Sequence, residues 1–590
     1  MRTLQKKALL AALCAFTGLN ALSYDFAVDS IYYNINTDGV SVSVTYETSS
    51  YGSYSGEVSI PAEVTCNGIT YAVTAIGSNA FRKSTGLTAV TIPVGVTAIS
   101  SSAFYNCSGL TSIVIPEGVT SVGGSLFYKC TSLTSVTLPS TMTALSLFCF
   151  RGCTALKEIT IPEGFTSLGT DAFYECTALE TVSLPSTLEE VDEYSFWNCT
   201  SLKNINIPSG VTSIGYYAFY QCKALPSITI PEGVTEILKY TFYQCTSLET
   251  VSLPSKINTI GNSAFRGCTS LTTLYLPDSL ESIGDYAFLD CSLLSTVSKF
   301  PDNVTYIGSY AFQNDTSITS IILPEGLTYT CTQSFYNCSG VSSVTLPSTL
   351  TELGIGTFHG LELLAEITLP DSLTAIYNAA FSGCTGLESI TIPEAVDTLG
   401  LSVFKNCSSL TEIVIPENVT WIANTIFEDC TNLKSVTMGS GVRAIGTHAF
   451  SGCDSLREII CPCTTPPTIK SANYSFTSDT YASATVYIPQ GTLSAYQADE
   501  IWSKFTYLVE KDFNEESGID LITSDGDTPS LFTTVNGALL LNADGLPMQV
   551  YSAAGVLIYS GTTRLGATIE LPKSGIYIVN IAGSSTKVLL

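Results

Sequence analysis

The stretch FYECTALETVSLPSTLEEVDEYS, Phe173 to Ser195, recurs in altered form along most of a chain of 590 residues. Phe takes its first position at 81, 104, 127, 150, 173, 196, 219, 242, 265, 288, 312, 335, 358, 381, 404, 427 and 450, seventeen copies spaced by 23 residues with one step of 24. A period in the range of about 20 to 50 residues marks a solenoid, in which each copy packs only on its neighbours. Six places after Phe stands Leu in fifteen copies, and Ile318 or Val341 in the others. Leu179 to Pro185 then reads as a strand, with Val182 and Leu184 inward and Ser183 outward. Pro185 ends it, having no N–H to give a neighbouring coil. Leu188 and Val191 make a second, shorter apolar pair before the chain turns back to Phe196. Six or so buried groups per copy, each contributing roughly 1.5 to 3 kcal/mol, cannot be covered within one coil. The expected fold is therefore a β-rich solenoid of seventeen stacked 23-residue repeats.

Lys and Arg number 24 against 51 Asp and Glu, and the net charge of −27 repels nucleic acid and anionic lipid surfaces. Neither is expected as a partner. Beyond the N-terminus no apolar run approaches the roughly 18 to 20 residues that span a bilayer, so no transmembrane segment is expected in the mature chain. Residues 1–23 combine Arg2, Lys6 and Lys7, an apolar run from Ala8 to Phe16, and Ala21-Leu22-Ser23. This is the layout of a secretory signal peptide, with a mature start at Tyr24. Cys14 lies inside the apolar run, and Ala11-Ala12-Leu13 lacks the small residue that a lipidation site needs before its Cys.

Twenty cysteines in an exported chain would suggest disulfides, but their phase argues otherwise. Fourteen of them, from Cys107 to Cys453, sit three residues after the repeat Phe. Equivalent side chains in a stack point in parallel, which suits a bridge badly. Cys107 to Cys291 is an odd run of nine, and Cys338 stands between Asp315 and Leu361 without a ladder neighbour. They are expected to be free, buried thiols that act as small apolar fillers.

Along the chain, 24–75 alternates apolar and polar residues and is expected to form a small N-terminal β cap, an antiparallel sheet over the open end of the solenoid. The repeats occupy 76–463. An extra residue between Val297 and Phe300 predicts a bulge at Ser298 and Lys299, and Asp315 replaces the ladder Cys in the next copy. Residues 464–512, with a strand-like Ala484 to Pro489 and helical spacing from Leu493 to Phe505, are expected to form a C-terminal cap. Residues 513–530 are acidic and poor in apolar residues, as in a linker. Residues 531–590 show the alternation of a small C-terminal β-sandwich-like domain.

The motif L-x-x-[VI]-x-[IL]-P, then V-T-x-I-G, then A-F-x-x-C resembles the BspA-like leucine-rich repeats, with near-identities such as IPEGVT at Ile115 and again at Ile230. The resemblance covers Ile76 to about Cys463 and implies a bacterial surface protein that adheres to host matrix proteins, other cells or glycans. Residues 531–590 resemble the C-terminal sorting domains of type IX secretion, which implies export to the cell surface.

No constellation in the sequence carries catalysis or binds a metal, and no cofactor is expected. The only histidines, His359 and His448, are 89 residues apart, roughly 19 Å along a stack of coils, too far to share a proton or a metal. Cys461-Pro462-Cys463 puts two thiols close together without the second pair of a zinc site, as a local disulfide or two free thiols. Asn106, Asn198, Asn337 and Asn406 match the N-glycosylation sequon as a by-product of the repeat.

The candidate binding residues are positional. The slot after the repeat Phe holds Tyr105, Tyr128, Tyr174, Trp197, Tyr220 and Tyr243, interrupted by Arg151. Stacked, they predict a ridge roughly 30 Å long that suits a protein hot spot or stacking on sugars. A second face, the outward strand slot, carries Thr137, Thr160, Ser183, Asn206, Thr229 and Ser252. The expected function is non-catalytic adhesion to a host extracellular protein or a neighbouring cell-surface protein, with a glycan-binding surface protein as the alternative.

Overall fold

Strands spaced by one repeat pair in parallel and in register. Thr181–Ser183 lies between Glu158–Thr160 and Asn204–Ile205, with Val182 opposite Ile159 and Ile205. A second ladder pairs Glu190–Val191 with Ser213–Ile214. Each coil is thus a main strand, a corner at Pro, a short second strand, and an irregular turn that returns to Phe. In the computed structural model the described residues are 23–469, 474–513, 532–535, 538–541, 544–552, 557–565, 567–570, 576–581 and 584–589. The signal peptide expected at 1–23 and the linker expected at 513–530 lie outside them, apart from Ser23 and Phe513.

The core is a set of columns along the solenoid. Phe173, Cys176, Leu179, Leu188 and Val191 have no exposed surface, and Val182 has 3%. The seventeen Phe rings stack on one another, for example Phe150 on Phe173 at 5.3 Å and 3° and Phe173 on Phe196 at 5.4 Å and 2°. Tyr54 packs on Phe81 at 4.5 Å, and Phe476 stacks on Phe450 at 5.1 Å. The column therefore runs one turn past the repeat at each end, and the solenoid has about nineteen turns rather than the seventeen that the Phe period shows.

Both ends reach these extra turns with strands that keep part of the motif, as in Val58 to Pro61, Val73 to Gly77 and Val486 to Pro489, but lack a Phe at the 23-residue period. At the N-terminus, Ser55–Ser59 pairs in parallel with Gly86–Thr91 and heads the main ladder. Ile69–Ile76 pairs in parallel with Ala98–Ile99 and heads the second. The sheet expected to be antiparallel is mixed: Phe26–Val28, Ile31–Ile35 and Ser41–Thr45 form an antiparallel meander, and Ser41–Thr45 then runs parallel to Ile69–Ile76. At the other end, Thr485–Pro489 pairs in parallel with Glu458–Ile460, and Thr468–Ile469 with Ala444–Ile445. A short helix, Ser478–Ser483, capped by Thr477, enters that coil. Tyr496 and Trp502 are fully buried; the Trp502 indole N–H donates to Pro467 O at 2.8 Å and the Tyr496 hydroxyl to Cys463 O at 2.7 Å. Helical spacing from Leu493 to Phe505 resolves into a helix at Leu493–Ala498 and a 3₁₀ turn at Trp502–Lys504.

The extra residue near Ser298 interrupts the main ladder instead of bulging it. Only an isolated bridge between Lys299 and Ile322 remains there, while the Thr296 hydroxyl donates to Leu274 O at 2.9 Å and accepts from Leu274 N–H at 2.9 Å. The second ladder is unbroken, with Ser282–Ile283 against Tyr306–Ile307.

A separate unit comprises Pro489–Leu493 and Glu510–Leu590. Two antiparallel sheets, one of Phe532–Val535, Ala538–Leu541 and Thr568–Glu570, the other of Leu557–Thr562, Pro547–Ser552, Ile576–Ile581 and Ser584–Leu589, share a core that includes Leu539, Met548, Val550 and Val579. This is the sandwich-like domain at the C-terminus.

Candidate functional site

The turn around each Phe is built on two left-handed residues. The position two before Phe has positive φ, as at Tyr194 (55°) and Tyr217 (58°), and so has the position two after it, as at Glu175 (59°) and Asn198 (55°). Asn, Asp and Gly adopt that region at least cost, which accounts for the Asn before the ladder Cys and hence for the four sequons. With the backbone kinked twice, Phe173 N–H and Glu175 N–H both reach the next coil, at Ser195 O and Trp197 O, each at 2.8 Å.

The Phe carbonyl takes two donors, one from its own coil and one from the next. Phe173 O accepts from Cys176 N–H at 3.0 Å and from the Cys199 thiol of the following coil at 3.1 Å. All fourteen ladder thiols are free and buried, and they make this bond at 2.9 to 3.2 Å. They are hydrogen-bond donors as well as small apolar fillers, a role that the expectation from the sequence did not include. Cys461 and Cys463 are two free thiols, with the Tyr496 hydroxyl 3.2 Å from Cys461 Sγ.

Because the turn repeats, the residue after Phe stacks on its counterpart. Tyr105 lies on Tyr128 at 4.7 Å, Tyr174 on Trp197 at 4.1 Å, Trp197 on Tyr220 at 5.4 Å and Tyr220 on Tyr243 at 4.7 Å, all within 7° of parallel. The structure thus brings all six candidate residues into one column. Arg151, the expected interruption, fills the gap: its guanidinium lies 3.8 Å from the Tyr174 ring centre and 5.9 Å from that of Tyr128. A 2.9 Å ion pair with Asp171 anchors it. Arg82, 4.2 Å from the Tyr105 ring, and Arg266, 5.8 Å from the Tyr243 ring, close the two ends.

A second column, missed from the sequence, runs beside the first. Tyr194, Tyr217 and Tyr240 occupy the left-handed slot before Phe and stack at 4.9 and 4.7 Å. They lean on the first column through Tyr217 and Tyr220, and through Tyr240 and Tyr243, each pair at 5.8 Å. The signal was a Tyr repeating at 23 residues two places before Phe, in a slot where a bulky side chain is unusual. His359 extends the same logic, stacking on Tyr336 at 4.3 Å while burial lowers its pKa.

The rings are half-buried, and their faces cover one another. What solvent meets is a row of ring edges and phenol hydroxyls, and burial raises the Tyr174 and Tyr220 hydroxyls above the usual tyrosine value. Stacking a sugar within the column would need a free ring face, and the spacing leaves none. On the outward strand slot, Thr137, Thr160, Ser183, Asn206, Thr229 and Ser252 are exposed, in line with Val114 and Tyr275, which are 61% and 72% exposed.

The profile of the BspA type Leucine rich repeat region (6 copies) matches in overlapping runs from 74 to 483. The chain belongs to this family. Its repeat is a fold for protein–protein interaction. Among solved structures, a leucine-rich repeat protein from Bacteroides ovatus is 29% identical and covers 70% of this chain and 100% of its own, with a TM-score of 0.54. A T. pallidum leucine-rich repeat protein is 25% identical over 34% of this chain and 90% of its own, with a TM-score of 0.31. A leucine-rich cell surface protein from Faecalibacterium prausnitzii is 21% identical over 77% of this chain and 98% of its own, with a TM-score of 0.30. No curated protein sequence matches the chain.

Proposed function

We propose that the protein is a non-catalytic bacterial surface protein that adheres to a host extracellular protein or to a protein on a neighbouring cell through the aromatic column. The observation that carries this reading is the column itself: six aromatic residues and three arginines held in one line by the repeat geometry. Tyr, Trp and Arg are the residues that dominate protein hot spots, and stacking removes most of their freedom before a partner arrives. The covered ring faces favour this reading over a glycan receptor. Surface delivery rests on the resemblance of residues 531–590 to type IX sorting domains and on the signal peptide expected at 1–23.

The test of adhesion is a binding screen of the secreted protein against matrix proteins, whole cells and a glycan array. Protein or cell binding without glycan binding is expected; binding confined to glycans, or turnover of a bound polymer, would overturn the proposal. Deleting 531–590 is expected to abolish surface display, and unchanged display would remove the sorting role.

A further inference from the structure

Charge is sharply segregated between Gly77 and Leu202. Between Gly77 and Lys157 the chain has five cations, Arg82, Lys83, Lys129, Arg151 and Lys157, and a single acid, Glu117. From Glu158 to Leu202 it has nine acids and no cation. Four of the five cations sit at the turn around Phe, in the slots one and two residues after it. Arg82 lies between Tyr51 and Tyr105, 5.3 and 4.2 Å from their ring centres, and Lys129 Nζ lies 5.7 Å from that of Tyr128. Lys83 and Lys129 are exposed, and among the described residues neither pairs with a carboxylate. Glu117 is held at the corner after the main strand by the N–H and hydroxyl of Ser140, both at 3.1 Å.

We infer that this first stretch of the ridge, from Tyr51 to Arg151, docks an acidic, extended segment of a partner polypeptide; the inference rests on the protein-binding reading above. Around the turn this patch offers mostly electropositive groups: ammonium and guanidinium groups, phenol hydroxyls and the positive edges of aromatic rings, with Glu117 set apart at the strand corner. In a chain of net charge −27 such a patch attracts anions only at close range, because salt screens charges beyond about 8 to 10 Å. The acidic block that starts at Glu158 repels the same segment and sets where it ends. From Phe81 to Phe150 the patch spans three coil steps, roughly 14 Å at about 4.8 Å per step, the reach of about four or five extended residues. A polypeptide fits better than an anionic polysaccharide, because carboxylates on a flexible strand can meet ring edges and cations together, whereas a sugar needs the ring faces that are covered.

The test is fluorescence anisotropy of the full chain with a labelled peptide of about ten residues alternating Glu and Ser, long enough to cross the patch. The same peptide with Lys for Glu, and heparin, serve as comparisons. The acidic peptide alone is expected to bind, and Lys83→Glu with Lys129→Glu to weaken it at least tenfold, both side chains being exposed and the fold checked by circular dichroism. Lys299→Glu with Lys434→Glu, two exposed cations elsewhere on the solenoid, is expected to leave it unchanged. No preference for the acidic peptide, equal loss in the control pair, or tighter binding of heparin at the same lysines would each overturn the inference. If the peptide fails while Tyr174→Ala still weakens a protein partner found by screening, only this inference falls.

Discussion

A carboxyl group stands where fourteen other coils place a thiol. Asp315 is fully buried and neither of its oxygens has a hydrogen-bond partner among the described residues; burial raises its pKa well above the usual carboxylate range. The folded chain therefore keeps a proton that the unfolded chain releases above about pH 4. The sign follows: stability loses nothing below that pH and falls as pH rises toward the folded pKa. Asp315→Cys restores a donor of the ladder type, so at pH 7 it is expected to stabilise by about 1 to 3 kcal/mol. Chemical denaturation at pH 3 and pH 7 checks this, with the difference small at the lower pH. Thiol labelling of the unfolded, unreduced chain is expected to find the fourteen ladder cysteines free, and a majority blocked would refute it. The phase of the thiols was legible because it repeats. Their acceptor was not, since a backbone carbonyl of the preceding coil leaves no mark on sequence.

The turn around Phe is the element that decides what each coil displays. Its two left-handed residues explain why Asn, Asp and Gly recur two places after Phe. They also predict unequal tolerance at Asn198, where φ is 55°. Asn198→Gly is expected to be near neutral, while the β-branched Asn198→Val is expected to cost about 1 to 2 kcal/mol, read as a shift in denaturation midpoint. A similar device joins coils at the corner after the main strand. Where PEG is followed one coil later by PS, the Glu carboxylate accepts the Ser N–H and hydroxyl, as Glu163 does from Ser186 at 3.0 and 2.9 Å. The Ser186 N–H, and then its hydroxyl, hold the Glu163 pKa below its usual value. The main strand and its Pro stop were readable from period and chemistry alone. The turn was less so: the recurring Asn, Asp and Gly mark one left-handed position, but the other holds residues as bulky as Tyr194 and Tyr217, and both are fixed by hydrogen bonds to the next coil.

At the scale of the molecule, one repeated backbone geometry produces both the core columns and the surface column. The six aromatic residues could be placed in one line from the sequence because they share a slot. Arg82, Arg151 and Arg266 share it too, but the sequence marks Arg151 only as a break in the row, and it is the packing of the guanidinium groups against the rings that makes them part of it. The terminal turns were hidden for a related reason: Tyr54 and Phe476 continue the Phe column at spacings of 27 and 26 residues, outside the period that revealed it. The central claim is that recognition belongs to the edge of this column and not to the hydroxyl-rich strand face. The most direct measurement compares two variants of the full chain for binding to a protein partner found by screening. One carries Tyr174→Ala, Trp197→Ala and Tyr220→Ala, the other Thr160→Lys, Ser183→Lys and Thr229→Lys, both with circular dichroism matching the parent. Loss of binding by at least tenfold in the first and little change in the second is predicted; unchanged binding in the first would contradict the account.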